Sequence, residues 1–430
     1  MSSRPARRPV LAAALLSLIV ARALPALPSD PWMDLGQSLA GTSGAPVLAG
    51  SGSLAGGTLA TLALSNAQPG SPALLVVGLT SLGLPFKGGV MVPSLDVLIG
   101  ATTSPAGAIT VSATWPGSLP TATHVWFQWW ISDAGGPAGF AASNALLGTT
   151  PPPPTPGVFP SDWIYGACAT DPPIQIHAYN ENTYILRQSK CTNFEGPFMY
   201  LFFGQDKVLM LDTGAGGIPI QSTVQGIINS WLAAHGQASI QLIVAHTHAH
   251  GDHIAGDSQF IGKPNTTVVG TSQSAVAAFF GFQSWPNDIV TYDLGGGRVL
   301  DILAIPGHQA AHIAVYDRET AILQTGDTLY PGFLFISGAV SQGNFAKYQA
   351  SVQRLVDFTA SRPVAWVLGN HIEMKSTPFQ SYPYGTNFQP LEHDLPLTRQ
   401  HLLELNAAVQ AMGTSPHVET HADFVVQPSG

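Results

Sequence analysis

Hydrophobic residues recur at every second position in much of the segment between residues 30 and 150. Residues 109–115 and 125–131 place apolar side chains on one face in this way, which is typical of strands with one buried face. Residues 73–79 are continuously apolar, which predicts a strand buried on both faces. Turns rich in glycine and proline separate these runs, so the pattern predicts a small all-β sandwich over residues 30–150.

Beyond this segment the pattern alternates between buried strands and amphipathic helices, which predicts an α/β domain over residues 162–415. A proline-rich linker, residues 151–161, precedes it, because five prolines in six residues form a stiff, extended chain. Residues 416–430 are expected to be a C-terminal tail. The predicted strands are 183–186, 198–203, 207–211, 241–245, 299–305, 313–316, 321–325 and 364–368, and the predicted helices are 224–232, 274–280, 345–356 and 396–412.

The first 26 residues have the pattern of an export signal. Arg4, Arg7 and Arg8 precede an apolar run over residues 10–20, and small residues follow for cleavage. This predicts a signal peptide over residues 1–26 and a secreted or periplasmic protein. A membrane helix needs about 20 apolar residues, and no later stretch reaches that length without interruption, so no membrane span is predicted.

Composition narrows the class of protein further. The 430 residues are 45% apolar and only 10% charged, which excludes intrinsic disorder. The formal net charge of −9 becomes −13 when the four arginines of the first 22 residues are removed, so nucleic acid is not expected as a partner. In an oxidising compartment Cys168 and Cys191 are expected to form a disulfide, the alternative being two unpaired buried thiols.

Four histidines and an aspartate stand in the eight residues that follow the predicted strand 241–245. So many polar groups at a strand end would need as many buried partners, and a metal ion supplies them. Imidazole and carboxylate ligands suit zinc and do not exclude iron or manganese. His248 and His250 point the same way from an extended segment and can share one ion, while Asp252 and His253 turn toward a second.

Three further candidate ligands follow other predicted strands. His308 comes after strand 299–305, Asp327 after strand 321–325, and His371 after strand 364–368. Binding residues collect on the loops outside strand ends. One edge of the fold is therefore expected to gather all seven side chains.

Taken together, these motifs resemble those of the metallo-β-lactamase-fold hydrolases over about residues 174–412. The resemblance implies an αββα sandwich with two zinc ions at one edge of its paired sheets. Five signatures carry it, in chain order: Leu211-Asp212-Thr213-Gly214, His248-x-His250-x-Asp252-His253, Pro306-Gly307-His308, Thr325-Gly326-Asp327 and Asn370-His371.

The resemblance also implies a role for each ligand. Water held between the two ions would be the nucleophile, and Asp252 would orient it and pass its proton onward. His246 is expected to pack or to support the ligands without binding metal, and His312 is expected not to bind metal. The implied ligand sets are His248, His250 and His308 for the first zinc, Asp252, His253 and His371 for the second, Asp327 as the bridge and Asp212 beneath the metals.

These features predict an exported dinuclear zinc hydrolase that cleaves an ester, lactone, thioester or β-lactam bond of a small molecule, with no partner protein evident. Asp327 favours the thioesterase, lactonase and phosphodiesterase branches of the family, and residues 325–330 are similar to glyoxalase II. The basic residues with which glyoxalase II holds glutathione are not evident. Asn370 stands where the family usually has glycine.

Two alternatives remain beside this hypothesis: a phosphodiesterase of the same fold, and a secreted binding protein that uses the metal domain as a scaffold. Aromatic residues are frequent in three predicted loops, residues 282–287, 330–338 and 376–389. They predict an apolar or aromatic substrate.

Overall fold

The computed structural model describes residues 31–430 except residues 53, 55–58, 117–118, 120–121, 151–154 and 361. The predicted signal peptide, residues 1–26, lies outside the described residues, as do the first four residues of the predicted linker. Within the described residues, every helix is too short or too polar to span a membrane.

The N-terminal region is an all-β module of two sheets and a hairpin. Its strands are β1 (Trp32–Asp34), β2 (Val47–Ser51), β3 (Leu59–Ser65), β4 (Pro72–Gly78), β5 (Ser81–Phe86), β6 (Gly89–Pro93), β7 (Val97–Thr102), β8 (Ile109–Thr114), β9 (His124–Ser132), β10 (Phe140–Ala142) and β11 (Leu146–Thr149). The larger sheet has the order β1-β11-β9-β4-β7, with β10 paired to β9. The smaller sheet is β2-β3-β8, and β5 and β6 form the hairpin.

The two sheets of this module pack face to face. Leu62 and Leu64 of β3 lie in one buried cluster with Leu75 of β4 and with Phe127 and Trp129 of β9. These residues alternate with outward-facing ones along each strand, as the period of two requires. The predicted all-β sandwich is therefore confirmed.

Strand β4 differs from its prediction on one face. Leu75 is buried in the sandwich, but Leu74 on the opposite face is 38% exposed. The hairpin of β5 and β6 covers that face only in part, and an apolar cavity of about 640 Å³ lies between them. One face of β4 therefore lies in the core and the other lines a cavity. A strand of this kind has the same continuous apolar run as a fully buried strand.

The second region contains two large sheets, a small sheet and five helices. Its strands are β12 (Ile174–Asn180), β13 (Thr183–Gln188), β14 (Phe198–Phe203), β15 (Lys207–Leu211), β16 (Gln241–Ala245), β17 (Thr266–Val268), β18 (Ile289–Asp293), β19 (Val299–Ala304), β20 (Ile313–Asp317), β21 (Ile322–Gly326), β22 (Phe333–Ser337), β23 (Trp366–Gly369), β24 (Glu419–Thr420) and β25 (Val425–Ser429). Its helices are α1 (Ile220–His235), α2 (Gly251–Ile254), α3 (Gln273–Phe280), α4 (Asn344–Thr359) and α5 (Arg399–Ala411). The sheets have the orders β12-β13-β14-β15-β16-β17, β18-β19-β20-β21-β23 and β22-β25-β24.

The two large sheets face each other, and helices cover their outer faces. Leu211 of the first sheet and Ile302 of the second lie in one shared buried cluster. Trp231 of α1 packs on the outer face of the first sheet. Leu355 of α4 and Leu405 of α5 pack on the outer face of the second. This arrangement is the αββα sandwich, and the predicted fold class is confirmed.

The C-terminal segment belongs to this domain, so the expected tail over residues 416–430 is corrected. Strand β25 pairs in parallel with β22, in a register that sets Phe335 opposite Gln427. Phe424 and Val426 are fully buried. Sequence periodicity misses this strand because its apolar run is short and its partner lies about ninety residues earlier in the chain.

Removing residues 416–430 is expected to destabilise the α/β domain. The truncation takes away the buried Phe424 and Val426 and uncovers Leu334 and Ile336, which are fully buried. Each such side chain contributes about 1.5–3 kcal/mol through burial. We expect the melting temperature to fall by several degrees, measured by circular dichroism against the full chain. Equal melting temperatures would show that β25 contributes no stability.

Cys168 and Cys191 form a disulfide, as predicted, with their Cα atoms 5.5 Å apart. It ties the segment before β12 to the turn after β13. Replacing both cysteines by alanine is expected to lower the free energy of unfolding by about 3 kcal/mol, since the open chain regains loop entropy when it unfolds. Urea denaturation measures this, and the reduced unmodified protein should match the variant. An unchanged free energy would contradict a stabilising cross-link.

Candidate metal centre

Loops that follow strands bring polar side chains to one edge of the paired sheets. Asp212 follows β15, and the histidine run follows β16, its parallel neighbour in the first sheet. In the second sheet His308 lies on the loop after β19, while Asp327 and His371 follow the parallel neighbours β21 and β23. The structure places all seven predicted ligands in two groups at this edge.

The first group consists of three histidines. His248 Nε2 lies 3.0 Å from His250 Nδ1 and 3.2 Å from His308 Nε2, and His308 Nε2 lies 3.0 Å from His250 Nδ1. Two nitrogens bound tetrahedrally to one zinc would be roughly 3.4 Å apart, given bonds of about 2.0–2.1 Å. His308 Nδ1 donates to the Phe335 carbonyl at 2.7 Å, so its Nε2 keeps a free lone pair toward the group.

The second group consists of Asp252, His253, Asp327 and His371. Asp252 Oδ2 lies 3.1 Å from His253 Nε2 and 3.3 Å from His371 Nε2. His371 Nδ1 donates to the Glu195 carbonyl at 3.1 Å. As in the first group, a backbone carbonyl fixes the ring so that the other nitrogen faces the carboxylates.

Asp327 lies between the two groups. Its Oδ2 is 3.6 Å from His248 Nε2, 3.6 Å from His308 Nε2 and 3.4 Å from His253 Nε2, and its Oδ1 is 3.5 Å from His371 Nε2. Asp327 Oδ1 is buried and has no hydrogen-bond partner, a condition that costs about 1–3 kcal/mol unless something pairs with it. Converging lone pairs around a shared buried carboxylate fit two divalent cations.

The pKa values of the first group and of Asp327 agree with this donor set. Burial raises the pKa of Asp327, but the neighbouring His371, His253 and His248 outweigh it and hold that pKa well below its usual range. Burial lowers the pKa of His308 to about 4 and that of His248 well below its usual value. Neutral imidazoles and an ionised carboxylate are the forms that bind metal. At His253 and His371 burial lowers the pKa, but Asp327 and Asp252 outweigh it and raise that pKa well above its usual value, so a metal would displace a proton from each.

Asp212 supports the ligands from beneath, as the family resemblance implies. It is fully buried and accepts hydrogen bonds from Thr247 N at 2.8 Å and Thr247 Oγ1 at 2.9 Å. Its Oδ2 also lies 3.2 Å from His253 Nδ1 and accepts from Asn370 Nδ2 at 2.6 Å. The Asp212 carboxylate therefore orients His253 of the second group. It also holds Thr247, which precedes His248, and Asn370, which precedes His371.

Asn370 and Gln324 take part in this network, and sequence reasoning gave neither a role. Asn370 Nδ2 also donates to the Phe198 carbonyl at 2.7 Å, and its Oδ1 accepts from Gln324 Nε2 at 2.6 Å. Gln324 Oε1 in turn accepts from Gly326 N at 3.1 Å. The asparagine in place of the family's usual glycine thus joins the loop of His371 to that of Asp327. The presence of asparagine at position 370, where the family usually has glycine, is the one feature of the sequence that pointed to these hydrogen bonds.

His246 and His312 lie outside both ligand groups, as expected. His246 Nε2 lies 2.8 Å from Asp257 Oδ1, which also accepts from Thr213 Oγ1. His312 is fully buried, and its ring centroid lies 4.7 Å from that of His248. Both rings pack behind the ligands.

A cavity of about 320 Å³ is lined in part by Phe335, whose carbonyl contacts His308. Phe333, Phe335, Tyr384 and Gln427 line it, and we call it the aromatic pocket. The carbonyl of Phe335 is the partner of His308 Nδ1, and Tyr384 donates to Glu195. Two of the three predicted aromatic loops thus contribute to it. The third does not, because Phe282 and Trp285 pack against the core between the sheets.

An αββα sandwich with two convergent groups of histidine and aspartate at one sheet edge defines a class of metal-binding domain. The Metallo-beta-lactamase superfamily profile matches residues 192–371, a range that includes every predicted ligand. The chain therefore contains a domain of the metallo-beta-lactamase superfamily.

Among curated proteins, the chain is similar to a hydroxyacylglutathione hydrolase and to an acyl-coenzyme A thioesterase. It is 31% identical over 133 residues to a hydroxyacylglutathione hydrolase of Ectopseudomonas mendocina (strain ymp), covering 29% of this chain and 46% of that protein. It is 26% identical over 202 residues to the acyl-coenzyme A thioesterase MBLAC2 of Bos taurus, covering 40% of this chain and 72% of that protein. The chain thus spans about half the length of the first relative.

Among solved structures, a metallo-beta-lactamase from Pontibacter korlensis is 16% identical in sequence. The match covers 55% of this chain and 99% of that chain, with a TM-score of 0.37.

Proposed function

We propose that this chain is a metal-dependent hydrolase that cleaves an ester, lactone, thioester or β-lactam bond of a small molecule. The observation that carries the proposal is Asp327, whose carboxylate lies within 3.6 Å of histidine nitrogens from both ligand groups. A carboxylate so placed is suited to hold two divalent cations side by side. The relatives named above, a hydroxyacylglutathione hydrolase and an acyl-coenzyme A thioesterase, support hydrolysis of an acyl bond.

The cations we infer are two zinc ions, with iron or manganese as competitors. When bound, two such ions lower the pKa of water toward neutrality and polarise a carbonyl oxygen. The residues that would hold them are His248, His250 and His308 for the first, Asp252, His253 and His371 for the second, and Asp327 for both.

Asp252 is the group that we propose to hold and move a proton. Its side chain is 21% exposed, against 8% for Asp327, so water and substrate reach it first. Burial raises the pKa of Asp252, but the adjacent His253 and His371 outweigh that effect and lower it. An ionised, accessible carboxylate accepts a proton from water and passes it to a leaving group.

The aromatic pocket is the place that we propose for the acyl part of the substrate. The pocket contains Phe335, whose carbonyl contacts His308 of the first group, and apolar linings bind apolar ligands. This favours a substrate with a compact aromatic or branched group.

Three basic residues of this domain bear on the part of the substrate to which the acyl group is attached. They favour an uncharged leaving group over glutathione or coenzyme A. Arg187 is fully buried and paired with Glu392. Lys190 is buried and donates to the Phe194 carbonyl at 3.2 Å. Lys375 lies over the Tyr382 ring. Because these three cations already have partners, they do not form a cluster ready to bind carboxylates or phosphates.

We also propose that the protein is exported. The arginine-led apolar run at residues 1–26 supports this, and so does the disulfide of Cys168 and Cys191, since such bonds persist in oxidising compartments.

Metal analysis and a substrate panel test the proposed function. The zinc-reconstituted protein should hold two equivalents and hydrolyse at least one of an aryl ester, a γ-lactone, an S-acyl thioester and a chromogenic cephalosporin. One equivalent or none would contradict the dinuclear site. If bis(p-nitrophenyl) phosphate were cleaved faster than every acyl substrate, the enzyme would be a phosphodiesterase. Binding of metal with no hydrolysis of any substrate would favour a binding protein.

A further inference from the structure

The cavity of the N-terminal module has the composition of a ligand site. Its volume of about 640 Å³ lies within the range of small-molecule sites. Thirteen of the fourteen lining residues are apolar, and the exception is Ser132. A space so lined offers few polar partners for ordered water and favours an apolar occupant.

Strand alternation explains how the cavity is built. Leu84 and Phe86 lie at alternate positions of β5 and share one face of the hairpin, while Leu82 precedes the irregularity at Gly83. Leu74 and Val76 share the outer face of β4, and all five residues line the cavity. The two apolar faces oppose each other across an open space.

The apolar lining remains in contact with solvent. Leu84 on the hairpin is 54% exposed, and Leu98 on the edge strand β7 is 52% exposed. Phe86 bridges the hairpin to the sheet, with its ring 4.9 Å from that of Trp130 in an edge-to-face contact. Exposed apolar residues gathered in one concave place mark a binding site rather than ordinary surface.

A single cation stands beside this cavity. Lys87 is the sole lysine or arginine of the sequence between residues 31 and 150. Its Nζ lies 4.9 Å from the Phe140 ring and 6.0 Å from the Phe86 ring, and both rings line the cavity. Asp96, which follows the lining residue Leu95, is exposed and accepts hydrogen bonds from Leu79 N and Ser94 Oγ.

We propose that this cavity binds a free fatty carboxylate, with the aliphatic chain against the leucines and the carboxylate paired with Lys87. The apolar lining would bind the aliphatic chain of the ligand, and the ammonium group of Lys87 would attract its carboxylate. This site is separate from the hydrolase centre, and its occupancy does not depend on the proposed reaction.

Calorimetric titration of the metal-loaded full chain with octanoate, decanoate and dodecanoate, each as monomer, tests the proposal. Affinity should rise about fourfold for each added methylene, because burial of one methylene contributes about 0.8 kcal/mol. Lys87→Gln should weaken dodecanoate binding several-fold and leave dodecanol binding unchanged. Lys207→Gln is the matched control, since Lys207 also lies over an aromatic ring, that of Tyr292, but outside this module.

A second pair of variants tests the position of the site. Leu98→Asp should abolish binding of both ligands, since it places a charge in the apolar lining. Leu59→Asp should not, because Leu59 is 64% exposed on the smaller sheet and does not line the cavity. Affinity that is independent of chain length, or equal in Leu98→Asp and the unmodified protein, would overturn the proposal. Adsorption to phosphatidylcholine vesicles without binding of monomeric carboxylates would overturn it as well.

Discussion

The variant Asp327→Ser is expected to hold less than one equivalent of metal, whereas we propose two for the unmodified protein. A shared carboxylate neutralises the repulsion between two cations, so its loss weakens both sites together. Losing an outer hydrogen-bond partner costs roughly 10- to 100-fold in affinity or rate, and the loss of a direct shared ligand should cost more. Elemental analysis after dialysis and turnover of an aryl ester measure the two effects.

Asp252→Ala is the comparison that makes this result specific. His248, His250 and His308 remain in that variant, so it should keep the first ion while losing activity. If Asp327 only capped the loop after β21, serine would serve equally well. In that case Asp327→Ser would keep two ions and a normal rate, and the shared-ligand hypothesis would fail.

Asp212→Asn is expected to weaken the second ion by roughly 10- to 100-fold, because Asp212 orients His253 through its Nδ1. The change preserves size, and asparagine tolerates the positive φ of 68° at this position at least as well as aspartate does. Backbone strain therefore does not confound the result. Metal titration against a chromophoric chelator gives the affinities of the two sites separately.

Asn370→Gly serves as the graded control for this experiment. It removes one of the hydrogen bonds to Asp212 and restores the residue usual in the family, so its effect on the second ion should be smaller. Equal affinities of the second site in Asp212→Asn and the unmodified protein would show that the carboxylate does not orient His253.

The ligand positions could be predicted from the sequence because each follows a recognisable strand. The run from His248 to His253, the isolated His308 and Asp327 and the final His371 are short-range signals. Strand ends meet at one sheet edge, so the fold class and the gathering of these side chains follow from local pattern.

The remaining features depend on contacts between residues far apart in the chain, which local pattern does not encode. The bond from Asn370 to Asp212 spans 158 positions, and β25 pairs with a strand formed much earlier. The sequence predicts that both faces of β4 are buried, because an apolar residue facing a cavity and one facing a core give the same pattern.

The candidate ligands come from both sheets: the run after β16 belongs to the first, while His308, Asp327 and His371 belong to the second. Ions shared among them would fasten one half of the sandwich to the other. Since an ion that binds only the native state stabilises it in proportion to the logarithm of the free ion concentration, metal supply would govern how long the folded enzyme survives as well as how fast it turns over. A shortage of metal would then increase unfolding and degradation, and the amount of folded protein would fall with the concentration of free metal ions.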